Sequence, residues 1–166
     1  NTCRWTGWRP APQDAILLAG SGRSGTTWLT DILTTGTRIQ QIFEPLIPLW
    51  NENVCKLTGW DRLGPHSWSW YLPPDSSQPE WFELLHQVLT GRYRNYWTDY
   101  YRTCFFPDRF LIKEIRANLM LGYIADKFHP KIIYVIRHPC AVVESRLAVG
   151  WHADVADILS QERLLQ

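Results

Sequence analysis

The sequence predicts an α/β fold: a parallel sheet of about four strands flanked by helices, a three-layer sandwich. Two observations carry this. Short apolar runs of strand character alternate with segments whose apolar residues recur at helical spacing. The first of these runs also ends in a glycine-rich loop that opens directly onto a helix, an arrangement suited to binding anions. With 45% hydrophobic residues, the 166-residue chain can bury a real core as a single domain.

Residues 14–19 (DAILLA) form the first expected strand, an apolar run suited to burial on both faces. Residues 20–25 (GSGRSG) are a loop. Residues 26–35 (TTWLTDILTT) follow as a helix, with Trp28, Leu29, Ile32 and Leu33 at helical spacing and Gly36 as its stop. Residues 38–43 (RIQQIF) read as the second strand, closed by Glu44-Pro45. Residues 46–108 differ in character. Prolines, glycines and tryptophans cluster there, and one amphipathic helix stands out over residues 80–90, with Trp81, Leu84, Leu85 and Val88 on one face. This stretch reads as an insertion that builds a substrate pocket or lid. Alternation then resumes: a strand over residues 109–115 (RFLIKEI), a helix over 118–128, the strongest strand of the chain over 131–136 (KIIYVI), and a helix over 139–149 in which Pro139 suits the first turn. A last helix is expected over residues 154–165.

Composition narrows the function classes. The net charge is +1, which gives no basis for bulk electrostatic binding to nucleic acid or membrane, so any anion site must be local. No stretch of about 18 apolar residues could cross a membrane, and the opening residues carry no signal-peptide pattern. The chain opens at Asn1 and closes inside an expected helix, so it reads as an N-terminal fragment whose C-terminal part is missing. None of the four cysteines, Cys3, Cys55, Cys104 and Cys140, forms a CxxC pair, which weighs against zinc. Cys55 and Cys104 both lie in the irregular middle and could pair in an oxidising compartment; free thiols in a reducing one are the favoured reading. Oligomeric state stays open. The cytoplasm is slightly favoured as compartment, with the Golgi lumen the alternative if the parent protein carries an anchor.

The loop at residues 20–25 carries the chemistry. Backbone N–H groups of such a loop and of the following helix terminus point at an anion, aided by the helix dipole. Gly20, Gly22 and Gly25 allow close backbone approach. Ser24, Thr26 and Thr27 add hydroxyls, and Arg23 adds a fixed charge that can fork onto a phosphate or sulfonate. In the nucleoside-triphosphate loop GxxxxGK[ST], a lysine follows the second glycine. Here Gly20 and Gly25 keep that spacing, but Thr26 stands where the lysine belongs. Nor does an acidic residue stand out at the end of a later strand to hold Mg²⁺, since Tyr134-Val135-Ile136 runs straight into Arg137. Both absences weigh against ATP or GTP. A sulfuryl donor, whose transferred oxygens carry less charge, needs neither. Arg137, at the end of the strongest strand, stands where parallel sheets bind ligands. Ser145 follows about two helical turns later, and the two could grip a further phosphate from different directions.

Together these segments resemble the sulfotransferases that use 3'-phosphoadenosine-5'-phosphosulfate (PAPS). The loop GSGRSGTTWL (residues 20–29) resembles that family's 5'-phosphosulfate loop, often written PKSGTTW, and IIYVIRHPCAVVESR (residues 132–146) resembles its 3'-phosphate motif, of the type IxxxRxPxxxxxS. The resemblance spans residues 16–150, loosely in the middle. It implies a P-loop-like fold, one truncated sulfotransferase domain over residues 1–166, PAPS as donor, 3',5'-diphosphoadenosine (PAP) as product and no required metal. By position, Gly22, Arg23, Ser24, Gly25, Thr26 and Thr27 would bind the 5'-phosphosulfate, with Arg23 in place of the family's loop lysine, as in the carbohydrate-modifying branch. Trp28 matches a residue that stacks near the adenine; a core-facing helix aromatic is the equal alternative. Arg137 and Ser145 would hold the 3'-phosphate. Glu44 is the candidate base, because IFEPL (residues 42–46) resembles the FEPL segment of carbohydrate sulfotransferases; His66 is the runner-up. Lys113, in the family-like KEIR, touches either the sulfonate or a structural ion-pair partner, and His138 reads as a turn residue. The acceptor would be a carbohydrate or small-molecule hydroxyl. Two alternatives stand beside this: a nucleotide kinase or NTPase with a degenerate loop, and a fragment that holds nucleotide without turnover.

Overall fold

The structure, a computed structural model, describes residues 10–60, 69–102, 104, 106–151, 159, 161 and 164. It is an α/β fold with one four-stranded, all-parallel sheet. Strands β1 (Ile16–Gly20), β2 (Ile39–Phe43), β3 (Arg109–Glu114) and β4 (Lys131–Val135) lie in the order β2-β3-β1-β4. Helix α1 (Thr26–Thr34) joins β1 to β2, α2 (Glu52–Thr58) and α3 (Pro79–Leu89) lie in the long connection to β3, α4 (Leu121–Phe128) joins β3 to β4, and α5 (Pro139–Leu147) follows β4.

The main core lies on one face of the sheet. Leu17, Ile42 and Ile112 point there, against Trp81, Leu84, Leu85 and Val88 of α3 and Tyr123, Ile124 and Phe128 of α4. The four α3 residues picked out by helical spacing are all buried, so this part of the 46–108 segment belongs to the core. Strand alternation turns Leu18 and Leu111, both fully buried, to the opposite face, where α1 packs on β1, β2 and β3.

Several expectations shift for local reasons. The first strand begins at Ile16, because residues 12–14 form a 3-10 turn opened by Pro12, in which the Asp14 carboxylate accepts the Ala11 N–H at 3.2 Å. Ahead of α4, residues 117–120 are 3-10, so the α-helix itself starts at Leu121. Helix α2 arises inside the stretch read as irregular: the Asn51 side chain accepts the N–H groups of Asn53 and Val54 at 3.0 and 3.1 Å, and Gly59 ends the helix at φ 63°. The strongest apolar strand, β4, lies at the edge of the sheet among the described residues. The helix expected over 154–165 falls mostly outside the described residues. On α1 the core-facing reading of Trp28 is overturned: Trp28 is 70% exposed and Ile32 52%, while Thr26 and Thr30 face inward. That burial is tolerated because the Thr30 hydroxyl donates to the Thr26 carbonyl at 2.8 Å.

Candidate functional site

A parallel sheet brings the C-terminal ends of all its strands to one edge. The register confirms the alignment: Phe43 of β2 lies opposite Lys113, and in β1 Ala19 lies opposite Glu114 and Gly20 opposite Val135. The loop after β1, Glu44, the end of β3 and Arg137 therefore share this edge.

The loop after β1 is built for close approach. A Cβ on Gly20 would fall 2.6 Å from the Val135 carbonyl oxygen, so only glycine lets β1 and β4 pair here. The Ser24 N–H closes a turn onto the Ser21 carbonyl at 3.1 Å. Arg23 and Gly25 both adopt the left-handed region, at φ 73° and 100°. Gly25 is the N-cap of α1 and offers no side-chain cap, which leaves the first-turn N–H groups directed outward. The space above it is open, with nothing within 4 Å of its Cβ position. The buried Ser24 hydroxyl has no hydrogen-bond partner among the described residues. An orphaned hydroxyl beside open space and outward N–H groups fits a bound phosphate or sulfonate. Thr27 is exposed beside them, whereas the Thr26 side chain packs inward towards Gly20.

The second sequence motif meets this loop directly. The Arg23 guanidinium donates through Nε to Ser145 Oγ at 3.0 Å, and Arg137 donates to the Arg23 carbonyl at 3.1 Å. Arg146, which the sequence reading missed, reaches the Gly22 carbonyl at 3.4 Å, and the Trp151 ring lies 3.0 Å from the Cβ position of Gly22. Arg23, Ser145 and Arg137 are thus brought together across sequence separations of 114 and 122 residues. Trp28 exposes its ring one turn into α1. His138 is an exposed N-cap of α5 that makes no side-chain cap bond. His66 lies outside the described residues.

Glu44 follows β2 at φ 40°, an uncommon backbone state for a glutamate. Its carboxylate is buried and paired with Lys113 Nζ and, at 2.9 Å, with Arg116. Arg116 also reaches the fully buried Glu114 at 3.4 Å, whose carboxylate accepts the backbone N–H groups of Leu46 at 2.7 Å and Arg116 at 2.9 Å. Burial pushes the Glu44 carboxyl up, but Lys113 and Arg116 outweigh it and hold it below the usual glutamate value. Glu114 moves the other way: burial raises it, and the pull of Arg116 does not compensate. Lys113 is therefore an ion-pair partner of Glu44 that also lies 4.5 Å from the centre of the Phe43 ring.

An acidic residue does end a later strand: Glu114 closes β3, the neighbour of β1. The pattern KEIR hid it because a strand read on through Ile115 makes Glu114 one more alternating side chain. Its oxygens are engaged by Leu46 and Arg116 in a fully buried position, which makes it a brace between the β2 and β3 ends. Arg116 carried no signal of its own, since its partner Glu44 is 72 residues away. Cys55 and Cys104 form no disulfide; the Cys55 thiol donates to the Pro48 carbonyl at 2.8 Å. Comparison with protein-family models, with curated proteins and with solved structures gives no match for this chain.

Proposed function

We propose that this chain is the nucleotide-binding part of a PAPS-dependent sulfotransferase that sulfates an acceptor hydroxyl. The observation that carries the reading is the direct contact between the two anion-binding segments: Arg23 on Ser145, and Arg137 on the Arg23 carbonyl. Two guanidinium groups and a helix N-terminus at the same end of the sheet suit a ligand with anionic groups at both ends. Once bound, the donor supplies an activated sulfuryl group and leaves as PAP.

The chain's own residues divide the work. The N–H groups at the start of α1, with Ser24, Thr27 and Arg23, hold the 5'-phosphosulfate and offset its charge. Arg137 and Ser145 hold the 3'-phosphate, and the exposed Trp28 ring offers a face to the adenine. Glu44 takes the proton of the acceptor hydroxyl. Lys113 and Arg116 hold it ionised and fix its orientation, while lowering its basicity.

A second reading, an NTPase with a degenerate loop, draws on Glu114 at the end of β3. Calorimetry with PAP and with Mg-ATP separates the two. PAP binds the wild type, and Arg23→Ala and Arg137→Ala each lose about 2 kcal/mol, roughly 30-fold in Kd. Thermal stabilisation by Mg-ATP and none by PAP would sink the sulfotransferase reading. PAP binding without sulfuryl transfer from labelled donor would make this a holding domain.

A further inference from the structure

Helix α5 meets the anion loop with little apolar burial to hold it there. Of its own residues, only Val142 is buried. Polar contacts take over: Arg137 donates to the Arg23 carbonyl at 3.1 Å, Arg23 to Ser145 Oγ at 3.0 Å, and Arg146 to the Gly22 carbonyl at 3.4 Å. The end of the helix adds an aromatic contact. Gly150 is left-handed at φ 69°, its N–H closes onto the Leu147 carbonyl at 3.0 Å, and the Trp151 N–H closes onto the Arg146 carbonyl at 2.9 Å. Such a double closure is how a glycine stops a helix. Here it brings the Trp151 ring onto Gly22, beside the carbonyl that Arg146 reaches.

Gly22 is enclosed from two directions. A Cβ there would lie 3.0 Å from the Trp151 ring and 3.3 Å from the Ile115 δ-methyl, so this buried residue fills a slot between the ends of β3 and α5. Its backbone is not left-handed, so the slot rather than φ calls for glycine. In a trans peptide unit the carbonyl and the following N–H point in opposite directions. With the Gly22 carbonyl turned to Arg146, the Arg23 N–H is turned away from it and makes no hydrogen bond among the described residues. The next peptide unit is fixed as well, by Arg137 on the Arg23 carbonyl and by the Ser24 N–H on the Ser21 carbonyl. Both units lead straight into Gly25 and the uncapped start of α1.

From this arrangement we infer that Arg146 and Trp151 are positioning residues for the anion loop: together they fix the Gly22–Arg23 peptide unit in the orientation that the donor's 5' anion meets. Neither side chain has to touch that anion. A loop ordered before capture spares the complex an ordering cost, so loss of the clamp is read as loss of affinity. The inference rests on the loop being the anion site of the proposed function, but the clamp can be tested apart from the choice of nucleotide.

The test follows PAP binding by calorimetry and the loop amides by nitrogen–proton NMR, with circular dichroism to establish that each variant is folded. Arg146→Ala and Trp151→Ala are each expected to weaken PAP binding about tenfold. Arg146→Ala also shifts the amide signals of Arg23 and Ser24 in the ligand-free chain. Arg146→Lys, which can still donate to the Gly22 carbonyl, restores most of the signal positions and of the affinity. Gly22→Ala weakens PAP binding about tenfold in the wild type but less than about twofold further in the Trp151→Ala background, where one wall of the slot is gone. The inference is overturned if either alanine variant binds PAP as the wild type does, if the Arg23 and Ser24 amides do not move, or if the losses from Gly22→Ala and Trp151→Ala multiply. Binding of Mg-ATP in place of PAP, weakened by the same variants, would remove the sulfotransferase reading and leave the clamp standing. Binding of neither nucleotide would overturn both.

Discussion

Two buried glutamates at the sheet edge respond to pH in opposite senses. The folded-state pKa of Glu44 lies below the ordinary 4.5, so its stabilising contribution is complete above that value and is lost as the pH falls through the folded pKa. The folded-state pKa of Glu114 lies above 4.5, so the folded protein is most favoured with this group protonated and loses stability as the pH rises through that pKa. Urea unfolding from about pH 3 to pH 8 resolves the two. Glu44→Gln is expected to flatten the acid side of the stability profile, and Glu114→Gln to flatten the decline above pH 4.5. Equal slopes in both variants would mean that the two carboxyls titrate as one unit. Lys113 was legible in the sequence as either a site cation or an ion-pair partner. Its pairing with Glu44, 69 residues away, was not, because no local pattern encodes such a contact.

At the scale of elements, α1 and α3, which pack on the sheet, contrast in how well spacing revealed them. Helix α3 buries the whole apolar stripe that its sequence displays, because α4 and the sheet surround it. Helix α1 carries apolar pairs at Trp28/Ile32 and at Leu29/Leu33, and the sheet takes only one flank. Periodicity shows that a stripe exists, but its burial depends on what lies beyond it. Helix α2 was legible in principle from Asn51 and Gly59, but the surrounding prolines masked the caps. Glycines at helix ends allow a sharp comparison. Gly59 and Gly91 both adopt left-handed φ, at 63° and 67°, but only Gly91 faces an obstacle, the Phe110 ring 2.3 Å from its Cβ position. Gly59→Ala is expected to cost about 1 kcal/mol, for backbone strain alone. Gly91→Ala is expected to cost about 1–3 kcal/mol more, for the overpacked ring, as read by chemical denaturation.

For the molecule as a whole, the fold class was legible because alternation of strand and helix is local, whereas strand order is not. β1 and β3 are flanked on both sides in the sheet, while β4, among the described residues, pairs only with β1 and leaves Tyr134 and Ile136 exposed. Native-state hydrogen exchange should rank the strands accordingly. Amides of β1 and β3 are expected to exchange only through global unfolding, and those of β4 and α5 through smaller openings. Equal protection of β4 and β1 would show that the edge is covered in solution.

The bond from Arg23 to Ser145 has an entropic corollary. A free arginine side chain samples many rotamers, and freezing it on capture of a ligand costs on the order of 2 kcal/mol. Here the guanidinium is already anchored across 122 residues, so that ordering is complete before any anion arrives. Ser145→Ala is then expected to weaken PAP binding in calorimetry on the proposed reading, through the lost anchor of Arg23 as well as the lost hydroxyl.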